Sequence, residues 1–308
     1  MSGAPICAID CGTNSTRLLI TDADGTTLVR EMRITRLGQG VDATGQIAPE
    51  ALERTLGVLG EYRSLMDEAG VGHGRLAATS AARDAANGPD FLRAASSITG
   101  LDAEILSGEE EGRLSFAGAM AGLDPAPGAD LVLDIGGGST EIVLNRAGQL
   151  SAHSMQVGCV RVAERTLTSD PASAADLSAA RAMADEAIDG AMAAIPGLAG
   201  LPAGSRLVGL AGTVATLAMI DGDVVDYERD LVHHRWLSRE AVVAWTALLG
   251  QESAAERSRR PGMVAGREDV IVGGLIVLQA VLERLDLDGC LTSESDILDG
   301  LAASQRGS

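Results

Sequence analysis

Two short segments combine a carboxylate, a small-residue turn and a row of hydroxyls: ICAIDCGTNSTRLLI at 6–20 and DLVLDIGGGSTEIVL at 130–144. In each, an apolar run ends on an aspartate, Asp10 or Asp134, and passes through a turn before an alternating strand resumes. The turns hold Gly12, Thr13, Asn14 and Ser15 in the first copy, and Gly136, Gly137, Gly138, Ser139 and Thr140 in the second. Each copy is expected to be a β-hairpin whose turn presents backbone N–H groups. Glycine there permits positive φ or a close approach of ligand to backbone, and successive N–H groups flanked by hydroxyls form an anion cradle. Two such cradles suit a phosphate chain.

A third acidic motif, SGEEEGR at 107–113, opens a helix. Ser107 and Glu110 have capping-box spacing, and acidic residues in a first turn interact favourably with the helix dipole. Glu111 lies about 100° further round than Glu110, where no helix-start rule requires it. On its own, Glu111 reads more readily as simple first-turn charge. Arg83, Arg113, Arg161 and Arg165 are further candidates, because a guanidinium pairs bidentately with phosphate oxygens. The turn LVGLAGT at 207–213 leaves two readings open, an anion at a helix N-terminus or close helix–strand packing.

These motifs need elements to position them. The 124-residue offset between Asp10 and Asp134 divides the 308 residues into two repeated domains. GLDPAPG at 122–128 marks a linker, giving domains at 1–124 and 125–308, with the last helix able to return to the first domain. After the first hairpin we expect a third strand in 25–38, a helix over 49–69 with Leu52, Leu56 and Leu59 on one face, and a strand at 75–78. A helix carrying Arg83 and Asn87 one turn apart follows, then a strand at 103–106 leading into the Glu111 helix. The second half repeats the plan: a third strand over 149–156, a helix from Gly158, helices at 174–194, 213–220, 238–249, 267–284 and 297–304, and strands at 206–210 and 290–293. Strand–helix alternation of this kind predicts an α/β fold with helices covering mixed sheets.

The formal charge is −19, which disfavours nucleic acid and membrane surfaces as partners. All 24 basic residues are arginine, so a P-loop lysine, a Schiff-base lysine and a kinase strand lysine are excluded. The four cysteines, Cys7, Cys11, Cys159 and Cys290, form no CxxC pair and are expected to be reduced. The chain meets Asp10 too early for a signal-peptide apolar region, and its longest apolar stretches fall short of the ~20 residues of a membrane span. A soluble, unsecreted, cytoplasmic protein is expected, and the sequence allows a homodimer.

Taken together, AIDCGTNSTRLLI, ATSAARDAAN, ILSGEEEGRLSFAGA, LVLDIGGGSTEIVL, QVGCVRVAERTL, GLAGTVATLAMI and EDVIVGGLIVLQAVL resemble the exopolyphosphatase/guanosine-pentaphosphatase family. They occur in the family's order and span nearly the whole chain. The resemblance implies the actin, sugar-kinase and heat-shock-chaperone superfamily, with two ribonuclease-H-like domains, mixed sheets flanked by helices, and a ligand cleft between them. It implies that Glu111 is the catalytic base, that Asp134 and Glu141, and more weakly Asp10, hold Mg²⁺, and that Arg83 contacts phosphate. The implied reaction is Mg²⁺-dependent release of the terminal phosphate of inorganic polyphosphate. Hydrolysis of guanosine pentaphosphate and non-catalytic binding of a phosphorylated alarmone are the alternatives, with a superfamily kinase behind them. The longer family members have a helical C-terminal extension that is missing here, so a preference for short chains is expected.

Overall fold

The two motif copies fold as antiparallel hairpins, and each organises a mixed sheet around itself. The computed structural model describes residues 4–306. Contacts divide the chain into two units, one made of the described residues of Met1–Gly118 and Asp296–Ser308, the other of Ala119–Ser295.

Unit one runs β1 (Ile6–Cys11), β2 (Ser15–Thr21), β3 (Thr27–Ile34), α1 (Val41–Thr44), α2 (Pro49–Ala69), β4 (His73–Ala78), α3 (Ser80–Asp84), α4 (Gly88–Thr99), β5 (Ala103–Ile105) and α5 (Gly108–Met120). Its sheet order is β3-β2-β1-β4-β5, with β1 antiparallel to β2 and parallel to β4. Successive residues of a strand face opposite sides, and here both sides are covered. Cys7, Ile9, Cys11, Leu18 and Ile20 pack on one face with Leu59, Tyr62 and Met66 of α2 and Phe91 and Ala95 of α4. Ala8, Leu19, Ala77 and Leu106 pack on the other with Ile297, Leu298 and Leu301 near the chain's end.

Helix α2 begins at Pro49, whose missing N–H costs nothing in a first turn, and stops at Gly70 in the left-handed region with φ 67°. Its buried face is Ala51, Thr55, Leu59, Tyr62 and Met66, so the expected Leu52 and Leu56 lie at the margin of the core and only Leu59 at its centre. Tyr62 is fully buried and its hydroxyl donates to the Thr16 carbonyl at 2.9 Å.

Unit two runs β6 (Asp130–Ile135), β7 (Thr140–Arg146), β8 (Gln149–Met155), α6 (Cys159–Thr166), α7 (Ala174–Ala194), β9 (Arg206–Leu210), α8 (Ala211–Asp221), α9 (Arg229–Val232), β10 (Trp236–Ser238), α10 (Arg239–Gly250), α11 (Ala254–Arg257), α12 (Ile271–Arg284) and β11 (Gly289–Thr292). Helix α13 (Ile297–Ser304) follows and belongs to unit one, where Asp296 caps it with a side-chain acceptor for the Leu298 N–H. The sheet order is β10-β11-β9-β6-β7-β8, which reproduces that of unit one with β10 added at the edge. The expected class, α/β with mixed sheets flanked by helices, is therefore met in both units.

Two local expectations are corrected, and one strand had no expectation at all. Arg83 and Asn87 do not share a helix: α3 ends at Asp84, Ala85 is extended at φ −90°, ψ 131°, and Asn87 starts α4. The Asn87 side chain instead accepts from the Ile47 N–H at 2.8 Å and donates to the Ile47 carbonyl at 3.0 Å, a local bond that competes with helix. Helix α12 starts at Ile271 rather than at Arg267, after a turn in which the Arg267 carbonyl takes the Val270 and Ile271 N–H groups. The short edge strand β10, with Trp236 51 % exposed, has no periodic signature in the sequence. Among the described residues, no helix is long and apolar enough to cross a membrane.

Candidate active site

In unit one the Glu111 carboxylate lies in the first turn of α5 and is 8 % exposed. Arg83, from the short helix after β4, donates through Nη1 to Glu111 Oε2 at 3.2 Å and to the Leu106 carbonyl at 2.9 Å. Its Nη2 is buried and donates to no protein acceptor among the described residues. The structure thus joins two residues that are 28 apart in sequence, and leaves one face of the guanidinium for an anion. Arg113 and Arg165 are exposed side chains.

The turn after β1 is held from behind. Gly38 N–H donates to the Thr13 carbonyl at 2.9 Å, and Thr35 and Arg36 N–H groups donate to the Asn14 carbonyl at 3.1 and 2.9 Å. Thr13 and Asn14 are buried, yet their own N–H groups have no protein acceptor among the described residues. Gly12 N–H closes the turn on the Ser15 carbonyl at 3.0 Å.

The same arrangement recurs in unit two, with a helix as the anchor. Cys159 N–H donates to the Gly136 carbonyl at 2.9 Å, and Val160 and Arg161 N–H groups to the Gly137 carbonyl at 2.9 and 3.1 Å. Arg161 Nε donates to the Gly138 carbonyl at 2.6 Å. In a planar trans peptide the C=O of one residue points opposite to the N–H of the next. Three carbonyls drawn toward α6 therefore turn the Gly137, Gly138 and Ser139 N–H groups the other way. Those N–H groups have no protein acceptor among the described residues, although all three residues are buried. Gly136 N–H returns to the Asp134 carbonyl at 3.2 Å, and Thr140 Oγ1 donates to the Val157 carbonyl at 2.5 Å. The expected cradle thus narrows to Thr13 and Asn14 in one loop and Gly137, Gly138 and Ser139 in the other.

The glycines serve close approach rather than unusual backbone angles. Neither Gly12 nor Gly136 has a left-handed φ, and a Cβ there would sit 3.1 Å from the Ser15 carbonyl and 3.0 Å from the Ser139 carbonyl. Gly158 was not singled out in the sequence, yet a Cβ on it would lie 2.5 Å from the Gly137 carbonyl oxygen. Its only signal was its position at the start of the α6 segment. In the LVGLAGT turn, the packing reading is favoured. A Cβ on Gly209 would meet Val214 at 3.1 Å, and one on Gly212 would overlap the Arg267 guanidinium at 1.6 Å.

The duplicated hairpins differ at the rung that carries the aspartate common to both copies. In unit one Asp10 stands opposite Arg17, and in unit two Asp134 stands opposite Glu141. Arg17 donates to Asp10 Oδ2 through Nη2 at 2.7 Å and Nε at 3.1 Å, and binds Asp296 through Nη1. Burial pushes the Asp10 carboxyl above the usual carboxylate range, the Arg17 charge opposes it, and Asp296 adds to the upward push. Asp134 and Glu141 are 7 % and 1 % exposed and face each other across the strand pair; Ser154 Oγ donates to Glu141 Oε1 at 2.6 Å. Two carboxylates directly across an antiparallel pair repel, and a divalent cation would relieve this. Among the described residues, no group of three or more His, Cys, Asp or Glu side chains is arranged to hold a metal. A two-carboxylate rung suits Mg²⁺, which keeps several waters and bridges one or two carboxylates to phosphate. The Asp10 rung, already occupied by Arg17, suits it less.

A model of the Ppx/GppA phosphatase family matches residues 16–305. Exopolyphosphatase 2 of Mycobacterium tuberculosis is 40 % identical over 98 % of both chains. The crystal structure of an exopolyphosphatase from Cytophaga hutchinsonii superposes with a TM-score of 0.88 at 27 % identity, covering 98 % of each chain. That of an Aquifex aeolicus member of the Ppx/GppA family gives 0.81 at 29 % identity, covering 98 % of this chain and 97 % of the other.

Proposed function

Because the chain belongs to the Ppx/GppA phosphatase family, we propose that it is an exopolyphosphatase that removes the terminal phosphate of inorganic polyphosphate with Mg²⁺. Family membership makes it a hydrolase of phosphoanhydride bonds; the reading adds the polymer, the metal and the residue roles. One observation carries it: a single hairpin of unit two combines the outward N–H groups of Gly137, Gly138 and Ser139 with the Asp134–Glu141 carboxylate rung. Groups for an anion and groups for a divalent cation, a few residues apart, match a metal–phosphate complex.

Glu111 accepts a proton from a water as that water attacks the terminal phosphorus, and the bond to the bridging oxygen breaks to release orthophosphate and a chain one unit shorter. Arg83 holds the Glu111 carboxylate through Nη1 and offers Nη2 to a phosphate oxygen. The outward N–H groups of Gly137, Gly138 and Ser139 donate to phosphoryl oxygens and stabilise charge as the bond breaks. Asp134 and Glu141 would hold Mg²⁺, which neutralises phosphate charge when bound. The acidic net charge of −19 favours short chains, because fewer unshielded phosphates are brought up to the surface.

The test is orthophosphate release from tripolyphosphate, long-chain polyphosphate and guanosine pentaphosphate in parallel, with Mg²⁺ titrated. The reading expects metal-dependent release from polyphosphate, faster per enzyme on the short chain. Release confined to guanosine pentaphosphate would replace the polymer with the nucleotide, and binding without release from any substrate would favour a sensor.

A further inference from the structure

The geometry points to Arg161 and Gly158 as positioning residues that aim the Gly137–Ser139 N–H groups, a role distinct from contact with substrate. The inference concerns the phosphate loop of the proposed function and rests on that reading only for its kinetic consequence. The alternative is plain from composition: an arginine beside a phosphate-binding loop is expected to bind phosphate itself.

The hydrogen bonds favour positioning. Arg161 uses two separate donors on two successive loop carbonyls, its backbone N–H on Gly137 at 3.1 Å and Nε on Gly138 at 2.6 Å. With Cys159 and Val160 it converts the first turn of α6, ordinarily an anion site, into an anchor for carbonyl oxygens. The helix end is thus turned toward the loop's carbonyls, and the free N–H groups are those of the loop itself. Each restrained carbonyl fixes one N–H through the shared peptide plane: Gly136 fixes Gly137, Gly137 fixes Gly138, and Gly138 fixes Ser139. The last of these depends on the Arg161 side chain, whose Nε donates to the Gly138 carbonyl.

Gly158 makes the approach close enough. A Cβ there would lie 2.5 Å from the Gly137 oxygen and 2.7 Å from the Gly136 oxygen, so any side chain forces the loop off α6. The residue is extended at φ −148°, ψ 168°, a conformation open to every amino acid, so the requirement is steric. A run of three glycines has little conformational preference of its own, so its order must come from outside the loop. Unit one holds its loop with backbone donors from Thr35, Arg36 and Gly38. Unit two adds the guanidinium contact of Arg161.

The test compares Arg161→Lys, Arg161→Leu and Gly158→Ala with the intact chain by two readouts. The first is amide hydrogen exchange of the 136–140 segment without substrate, which is independent of what the enzyme hydrolyses. The second is the separation of kcat from KM on tripolyphosphate. Positioning predicts faster exchange confined to that segment in all three variants. It also predicts kcat lower by roughly 10–100-fold, the range seen when an orienting partner of a site is removed, with KM changed far less. Lysine keeps the charge but lacks Nε, so it is expected to behave like leucine, and it covers the case in which Arg161→Leu fails to fold. Unchanged exchange with a raised KM in Arg161→Leu, and near-normal constants in Arg161→Lys, would make Arg161 a substrate ligand and overturn the inference. If the intact chain releases no phosphate from any substrate, the proposed function fails while the exchange comparison still decides the role of Arg161.

Discussion

Arg83 and Glu111 are joined by a 3.2 Å hydrogen bond between α3 and α5, and Arg83 is fixed in turn by the Leu106 carbonyl at the entrance to α5. A base that must reach a water in line with a phosphorus depends on such fixation, since misplacement by about 1 Å can cost about 10²-fold in rate. Arg83→Met is expected to lower kcat by about that factor while the fold is retained. In a Glu111→Gln background the same change should have little further effect, because the two residues act as a unit. Independent, multiplicative losses in a double-mutant cycle would contradict the coupling.

The Asp134–Glu141 rung predicts opposite effects on stability and activity. Glu141→Gln removes a like charge across the strand pair and is expected to raise metal-free stability slightly, by about 0.2–1 kcal/mol. It should also raise the Mg²⁺ concentration needed for activity, and chelation with EDTA should abolish release by the intact chain. Denaturant titration in EDTA and Mg²⁺ titration of rate check the two halves. Lower stability with an unchanged Mg²⁺ requirement would show that the rung is structural.

Helices α5 and α13 cross at glycines within unit one. A Cβ on Gly118 would lie 1.9 Å from the Asp296 carbonyl oxygen, and one on Gly300 2.1 Å from that of Leu114. Neither backbone oxygen can yield without moving its helix, so Gly300→Ala is expected to destabilise by about 1–3 kcal/mol. Urea denaturation measures it, and an unchanged midpoint would contradict the close crossing.

The thiols predict a pH dependence. Burial pushes Cys7 and Cys290 from an ordinary value of 9.0 up to about 12, partly opposed at Cys7 by Arg63, and raises Cys11 and Cys159 as well. A folded-state value above the unfolded one means that the protonated thiol favours the native state. That contribution is complete below about pH 9 and is lost as pH climbs toward 12. At pH 8 the native protein should therefore resist a thiol-disulfide reagent, and all four cysteines should react after unfolding. Rapid reaction of one thiol in the native state would contradict its burial.

Much of this architecture is legible in the sequence where local chemistry marks an element's ends. Pro49 and Gly70 bracket α2, Ser173 caps α7 with Asp176, and Asp296 caps α13 with Asp299, and these helices begin and end where the sequence placed them. The duplicated hairpins were readable because an aspartate, a glycine turn and period-two alternation coincide. What stayed hidden depends on tertiary partners. Nothing near Asp10 says that the facing residue is Arg17 while Asp134 faces Glu141, because that follows from strand register. The role of Gly158 arises from a loop 20 residues away, and the break between Arg83 and Asn87 from the bonds of Asn87 to Ile47.

The central claim is that Glu111 activates the attacking water. Its most direct test is orthophosphate release from tripolyphosphate with saturating Mg²⁺ by the intact chain and by Glu111→Gln, with the fold of both checked by circular dichroism and thermal unfolding. The account predicts a loss of about 10²–10⁴-fold in kcat, with tripolyphosphate binding retained. A correctly folded Glu111→Gln enzyme with undiminished kcat would contradict it.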